Sequence, residues 1–364
     1  MEKLFKEADI KLHVSAEASD EYEINKDFML DFVNNEMSKR KDLVQLIGGN
    51  SLQMMYDNHR NHVHFMINVF KFSLFEMLVR LVPWVYKSYH NHGFSYEYFP
   101  VELKAWKNAV KKFLSKSNAS EIIKIYDWLI NKHKKMIELS KRQSDFILKI
   151  EEEWKDKKNE FLSYIIDGDF ESALKFTNKI LKSYEDIQDF YLKIIQPALY
   201  DVGNLWETGK ISVAEEHLAT SIVGRIIANI YIHFPKPKKK KLKAIVTSSP
   251  NEFHDLGGRI VADFFEIDGW DVYYLGANVP EQELIKLVRK TKPKILALSV
   301  TMPFNVERAE KIINLIKKLE TPSPKILVGG IAFNFMPDLY KKIGADLFAT
   351  DAKSAVEIVR QFKI

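Results

Sequence analysis

Over the C-terminal third of the 364-residue chain, five short apolar runs alternate with five amphipathic segments. The apolar runs predict buried strands, and the segments between them have helical spacing. Strands that alternate with helices form a parallel sheet with helices on both faces, so we expect a flavodoxin-like (Rossmann-type) five-stranded parallel sheet. The predicted strands are 242–247, 271–275, 295–300, 325–328 and 346–349, and the predicted helices are 256–265, 281–290, 306–319, 336–343 and 352–362.

Polar residues and glycines follow three of the predicted strands. The first loop contains Glu252, His254 and Gly257, the third begins at Ser299, and the fourth contains Gly329-Gly330. Ligands of such sheets bind outside the carboxyl ends of the strands, so we expect functional chemistry at these three loops. Each loop taken alone is also typical of ordinary turns and helix starts.

Taken together, the three loops resemble the cobalamin-binding signature of methionine synthase, the mutases and corrinoid proteins. That signature is Asp-x-His-x-x-Gly, then Ser-x-Leu or Ser-x-Thr, then Gly-Gly. In this chain 41 residues separate Gly257 from Ser299, and 27 separate Thr301 from Gly329, which match the intervals of the signature. The resemblance covers the C-terminal domain and implies that it binds cobalamin (vitamin B12), with adenosylcobalamin favoured and methylcobalamin as the alternative form.

The resemblance also implies a role for each residue of the signature. The dimethylbenzimidazole tail leaves the cobalt and enters the domain, and His254 replaces it as the lower axial ligand. A carboxylate on the other ring nitrogen fixes the tautomer; the family has Asp at this position, this chain has Glu252, and Asp255 is a competitor for the role. Gly257 and Gly258 let a helix start close to the tail. The implied cofactor-binding residues in this domain are Glu252, His254, Asp255, Leu256, Gly257, Ser299, Thr301, Gly329 and Gly330.

The part of the chain before the sheet is helical in pattern. Asp167-Gly168-Asp169 predicts a helix boundary, and Pro197 predicts a local break or kink in a helical stretch. The fold class is therefore multidomain, α and α/β. We expect a helical N-terminal module at 1–154, a four-helix-bundle cap at 155–234, a Pro/Lys linker at 235–243 and a B12-binding domain at 241–364.

Within the predicted cap, Trp206 is followed after nine residues by Glu216-His217. This spacing resembles the helical cap of light-sensing adenosylcobalamin repressors. The resemblance implies that Trp206 packs over the 5′-deoxyadenosyl group and that Val213, Glu216 and His217 contact the same ligand. Core packing for Trp206 and a polar helix face for Glu216-His217 remain the alternatives. In those light sensors a histidine follows the tryptophan and captures cobalt after illumination; here Glu207 stands there, so either His217 takes that role or no such state forms.

The N-terminal module is rich in aromatics and carries five histidines within 34 residues. They favour either ordinary packing or a second chromophore, a haem or bilin in a globin-like helical fold. No helix-turn-helix pattern is found, so we expect output through a protein partner, such as a kinase, or through self-association rather than through DNA. The five are His59, His62, His64, His90 and His92.

Composition narrows the function classes. The chain has no cysteine, which excludes disulfides, thiolate metal sites and cysteine nucleophiles. No window reaches the roughly 18 apolar residues of a membrane span, and the polar start is unlike a signal peptide, so we expect a cytoplasmic protein. Net charge is +5, much of it in the Pro/Lys run, which is typical of a solvated linker and, as an alternative, of a phosphate-contacting patch.

These features predict a cobalamin-binding signalling protein, a photoreceptor or cofactor sensor that responds through the upper ligand of cobalt. The alternative is a corrinoid methyl carrier that serves separate methyltransferases. A radical mutase is disfavoured, since the chain has no barrel of about 250 residues to hold substrate.

Overall fold

The computed structural model describes residues 2–142, 150–233, 242–319 and 323–362. Two compact units are present, Met1–Ser144 with Glu207–Gly209, and Asp145–Trp206 with Lys210–Ile364. Most of the predicted Pro/Lys linker, 235–241, lies outside the described residues. No helix within the described ranges is both long and apolar enough to cross a bilayer.

The first unit is helical throughout its described residues. Ser15 and Ser51 begin helices by accepting a hydrogen bond from a first-turn amide, as N-cap residues do. Two consecutive helices of this unit meet at Lys132, which ends one and precedes the next. The helices are α1 (Glu2–Lys11), α2 (Ala16–Ile24), α3 (Lys26–Ser38), α4 (Leu43–Ile47), α5 (Leu52–Phe72), α6 (Phe75–Asn91), α7 (Tyr98–Phe113), α8 (Lys116–Asn131) and α9 (His133–Ser140).

Two of the five histidines lie in the core of this unit. His59 uses both ring nitrogens, one to Asn34 Oδ1 at 2.7 Å and one to the Tyr98 hydroxyl at 2.9 Å, so neither is left for a haem iron. His62 lies 3.2 Å from the Tyr126 hydroxyl. Burial lowers the pKa of both to about 3, which keeps the rings neutral. Among the described residues no cluster of three or more potential ligands is placed to hold a metal. These contacts agree with ordinary packing, and nothing in them supports a second tetrapyrrole.

The second unit begins with the helical cap. Helix α10 ends at Ile166 and the next begins at Phe170, so the boundary predicted at Asp167–Asp169 is observed, with Asp169 as N-cap. The break predicted at Pro197 takes the form of a π-helical turn, Phe190–Ile195, because proline has no amide donor for the regular ladder. The segments are α10 (Glu152–Ile166), α11 (Phe170–Ile180), α12 (Tyr184–Asp189), α13 (Gln196–Glu207) and α14 (Val213–His233).

The remainder of the unit is a parallel five-stranded sheet in the order β2-β1-β3-β4-β5 with helices around it, as predicted. Of the predicted helix 336–343, only Leu339–Lys342 is helical, and a further short helix, Ile331–Asn334, precedes Pro337. The strands are β1 (Lys243–Ser248), β2 (Asp271–Tyr274), β3 (Ile295–Ser299), β4 (Lys325–Gly329) and β5 (Leu347–Ala349). The helices are α15 (Leu256–Ile267), α16 (Glu281–Thr291), α17 (Val306–Lys317), α18 (Ile331–Asn334), α19 (Leu339–Lys342) and α20 (Ala352–Gln361), with a 3-10 turn at Pro303–Asn305.

Cap and sheet share one apolar core. Ile226 and Ile227 of α14 belong to the same buried cluster as Phe264 of α15 and Ile295 of β3. Burial of apolar surface stabilises by about 25 cal/mol per Å², so a shared cluster holds the cap helices against the α/β layer.

Candidate cofactor site

Strand register brings the three predicted loops together. Ser299, the last residue of β3, pairs with Ser248 of β1 and with Gly329 of β4. A Cβ added to Gly257 would lie 3.9 Å from the Ser299 hydroxyl oxygen, so the first turn of α15 adjoins the same strand end. The residues that the signature spreads over 74 positions, from Gly257 to Gly330, therefore meet at one edge of the sheet.

The centre of this edge is the pair Glu252 and His254. The Glu252 side chain is 1% exposed, and its Oε1 lies 2.5 Å from His254 Nδ1 and accepts the His254 amide at 3.2 Å. Its Oε2 accepts the backbone amides of Thr301 and Met302 at 3.0 and 2.8 Å and the Asn305 amide group at 3.3 Å. The His254 side chain is 58% exposed. A fixed, buried carboxylate thus carries an accessible imidazole.

The two groups shift each other's pKa. Burial raises the pKa of Glu252, but the hydrogen bond and charge of His254 and the Met302 amide outweigh it, so the net direction is down. Desolvation lowers the pKa of His254, but the Glu252 hydrogen bond and charge, with smaller contributions from Glu216 and Asp255, raise it overall. A neutral imidazole whose Nδ1 proton is held by a carboxylate keeps its lone pair on Nε2 and is a more basic ligand.

Asp255, the predicted competitor for the Nδ1 proton, is bound elsewhere. Its carboxylate and its backbone carbonyl both accept the Tyr274 hydroxyl, at 3.3 and 3.0 Å. Sequence reasoning missed Tyr274 because it lies within a predicted strand, and it missed Asn305 because an isolated Asn carries no signal. The Glu252 assignment agrees with the geometry.

Gly257 and Gly258 test whether a long cofactor tail fits here. Neither has a positive φ, and an added Cβ would meet only ordinary contacts of 3.7 to 3.9 Å, so the fold does not require glycine there. An added Cβ would extend into the space between α15 and Ser299. The half-buried Ser299 hydroxyl makes no hydrogen bond with the described residues. Gly257, Gly258 and the available Ser299 hydroxyl form a strip, free of side chains on α15, that fits a tail carrying a hydrogen-bond acceptor.

Gly329, the last residue of β4, and Gly330 are glycines for a different reason. Gly330 has φ +102°, and an added Cβ would lie 2.4 Å from the Val300 carbonyl oxygen. At Gly329 a Cβ would lie 3.0 Å from the Ala349 carbonyl oxygen. The backbone itself requires these glycines, because side chains fit neither the left-handed conformation nor the close approach.

The predicted cap residues lie on α13 and α14. Trp206 is half-buried and packs against the shared core, while Val213 is exposed at the start of α14. Glu216 Oε2 lies 2.5 Å from His217 Nδ1, with the His217 ring largely exposed. The charge of Glu216 raises the pKa of His254, which puts the start of α14 on the histidine side of the site. Leu256, the first residue of α15, lies where a Cβ on Gly224 of α14 would approach it at 3.7 Å.

Glu207, which stands where light sensors have a histidine, belongs to the first unit. Its side chain is buried, and Lys87 Nζ lies 3.0 Å from its Oε1. Asn91 donates to its carbonyl at 2.9 Å. The carboxylate is therefore engaged within that unit.

Two family models match the second unit, and both are described as a B12 binding domain. One covers residues 242–360, the α/β part, and the other covers residues 158–231, the helical cap. The two halves of the site described above therefore correspond to two matched domains.

Similar proteins fall in two groups. Dimethylamine corrinoid protein 3 of Methanosarcina acetivorans is 28% identical over 167 residues, which is 45% of this chain and 77% of that protein. The HTH-type transcriptional repressor CarH of Myxococcus xanthus is 25% identical over 157 residues, 43% of this chain and 52% of that protein. Among solved structures, the monomethylamine corrinoid protein of Methanosarcina barkeri superposes with a TM-score of 0.50 at 18% identity, over 57% of this chain and 99% of that one, a similarity of fold.

Proposed function

We propose that this cobalamin-binding protein is a sensory or regulatory protein that responds to light, or to the form of the cofactor, through the upper ligand of cobalt. The observation that carries the cofactor-binding part of the proposal is the Glu252–His254 pair, in which a buried carboxylate holds an exposed imidazole at the edge of the sheet. When bound, the corrinoid supplies a cobalt centre whose upper ligand is exchangeable and light-sensitive. Adenosylcobalamin is the form we favour.

The chain's own residues hold and orient the cofactor in this proposal. Glu252 keeps the proton on Nδ1 of His254, so Nε2 is the ligand nitrogen. The amides of Thr301 and Met302 and the side chain of Asn305 hold Glu252 in place. The strip at Gly257 and Gly258 receives the nucleotide tail, and Ser299 donates to it.

The cap residues favour sensing over simple carriage. Trp206, Val213 and the hydrogen-bonded Glu216–His217 pair have the spacing of light-sensing repressors, and the chain is similar to one such repressor. A switch needs two arrangements in which the cofactor's contacts differ, and residues over its upper face meet that need. We expect the output to be a changed contact with a protein partner or with a second copy of the chain.

A corrinoid methyl carrier is the second candidate. The match to dimethylamine corrinoid protein 3 covers 77% of that protein, against 52% of the repressor, and this difference favours the carrier. Both functions share the ligation by His254, so ligation alone does not separate them.

Illumination separates the two functions. The chain is reconstituted in the dark with adenosylcobalamin or with methylcobalamin, and absorbance and molecular mass are followed before and after light. A sensor shows a light-driven spectral change together with altered mass, and replacing Trp206 by Phe weakens the mass change. Trp154→Phe, another half-buried cap tryptophan, is the matched control. Two results together would favour the carrier. Light would change neither the molecular mass nor partner binding, and an added methyltransferase would exchange methyl groups with the bound corrinoid.

A further inference from the structure

Tyr274 lies at the carboxyl end of β2, beside the histidine loop. Its hydroxyl donates to the Asp255 carbonyl at 3.0 Å and lies 3.3 Å from the Asp255 carboxylate. Two carboxylates are close to His254 in sequence, at Glu252 and Asp255, and only one can take the Nδ1 proton. The Tyr274 hydroxyl holds Asp255 through its carbonyl and its carboxylate, while the Nδ1 side of His254 contacts Glu252.

Tyr274 also touches the helix that follows the loop. The Arg259 guanidinium lies 5.5 Å from the centre of the Tyr274 ring, within range of a cation–π contact. Arg259 Nε lies 3.6 Å from Asp263 Oδ1, one turn further along α15. The side of α15 that faces β2 is therefore linked through polar contacts rather than through apolar packing alone.

The chain of contacts continues into the cap. Asp263 is buried, and its Oδ2 accepts the Tyr191 hydroxyl at 2.8 Å. Tyr191 is fully buried in the π-helical turn Phe190–Ile195. A buried carboxylate costs free energy unless it is paired and hydrogen-bonded, and here both partners are supplied, one by the cap and one by α15.

We propose that Tyr274 is a positioning residue for His254, and that Arg259 and Asp263 connect it to Tyr191 so that the seating of the cap affects ligation of cobalt by the histidine. This rests on the proposed ligation by His254. The cofactor signature does not include Tyr274, Asp263 or Tyr191. In the proposal, none of these three residues contacts the His254 ring. They act through Asp255 and the first turn of α15.

The test is Tyr274→Phe, which keeps the ring against α15 and removes only the hydroxyl. Tyr273→Phe is the matched control, since Tyr273 is the preceding residue on β2 and its hydroxyl makes no hydrogen bond with the described residues. Loss of one hydrogen bond predicts roughly five-fold weaker binding of hydroxocobalamin. We also expect a smaller fraction of bound cobalt(II) corrinoid ligated by a protein nitrogen, measured by electron paramagnetic resonance. Equal affinity and equal ligation in both variants would overturn the positioning role.

The link to the cap needs a double-mutant cycle. Tyr191→Phe, Tyr274→Phe and the double variant are compared for binding of hydroxocobalamin and for ligation, because coupled residues give non-additive effects. A double variant that loses less than the product of the single losses supports the link, and strictly multiplicative losses overturn it. If the wild-type protein itself shows no protein nitrogen on cobalt, the proposed ligation fails and not merely its positioning.

Discussion

Glu252 holds the Nδ1 side of His254 across 2.5 Å, while the other carboxylate oxygen is fixed by two backbone amides and an asparagine side chain. The carboxylate is inside the fold and the imidazole is at its surface. Because the buried partner cannot rotate away, the ring keeps one tautomer. Glu252 is one methylene longer than the family's aspartate, and it still performs the orienting role that we assign to it.

Replacing Glu252 by Gln is expected to weaken corrinoid binding by roughly 10- to 100-fold, because a neutral partner no longer raises the basicity of the imidazole. Glu252→Asp restores the charge on a shorter arm and should recover part of the loss. Titration of the apoprotein with hydroxocobalamin measures both. Wild-type affinity in Glu252→Gln would show that the carboxylate has no part in ligation.

Substitution of Gly257 separates cofactor space from fold stability. Gly257→Ala should change the free energy of unfolding by no more than about 1 kcal/mol, since the position is helical and unstrained. Corrinoid affinity should fall by roughly ten-fold or more, as expected when a methyl group is forced into an occupied space. Urea unfolding of the apoprotein and cofactor titration measure the two effects.

Gly330→Ala is the contrasting substitution. The new Cβ would lie 2.4 Å from the Val300 carbonyl at a left-handed φ, so the apoprotein itself should lose about 2 kcal/mol or more. If Gly257→Ala destabilised the apoprotein as much as Gly330→Ala, packing of the fold would require the glycine at this position, and the strip would not be assigned to the cofactor tail.

Much of the α/β domain follows from sequence because central parallel strands are buried on both faces and appear as apolar runs. Their order and register bring Ser299 beside Gly329, a relation that spacing alone suggests only through a known signature. Tyr274 and Asn305 could not be found this way, since each acts through contacts made only in the folded chain. Only Leu339–Lys342 of the helix predicted at 336–343 forms, so the sequence located this helix but not its ends.

In the first unit, less of the structure follows from the sequence. Its helices follow from periodicity, but which helices pair does not, and so the roles of its histidines could not be derived from the sequence. The structure places His59 between Asn34 and Tyr98, a buried polar arrangement that gives the residue a packing role. The histidine-rich sequence by itself left both ordinary packing and a second chromophore open.

Glu102 in that unit predicts a pH effect on stability. Burial raises its pKa to about 7, offset in part by a hydrogen bond from Trp106. Since the folded pKa exceeds the unfolded value of 4.5, the folded state binds the extra proton, and stability falls as pH rises from about 4.5 to 7.

Glu102→Gln keeps an acceptor for Trp106 and removes the titration. The variant should match wild type near pH 4 and exceed its stability by about 3 kcal/mol above pH 7, an upper value from the shift in pKa. Urea unfolding of both full-length proteins over this range gives the difference in free energy of unfolding, in which titrations of groups remote from Glu102 cancel. His62, whose Nδ1 lies 3.9 Å from Glu102 Oε1, is the neighbouring titratable group in both proteins. A difference that does not vary with pH would contradict the raised pKa.

Ligation of cobalt by His254 is tested most directly by isotope substitution. The protein is uniformly labelled with nitrogen-15, loaded with unlabelled cobalamin, reduced to cobalt(II) and compared with unlabelled protein by electron paramagnetic resonance. Because nitrogen-14 splits the lines into triplets and nitrogen-15 into doublets, the account predicts doublets in the labelled protein and no axial nitrogen splitting in His254→Ala. Triplets that persist in the labelled protein would mean that the cofactor's own benzimidazole remains on the metal, which would contradict ligation by His254.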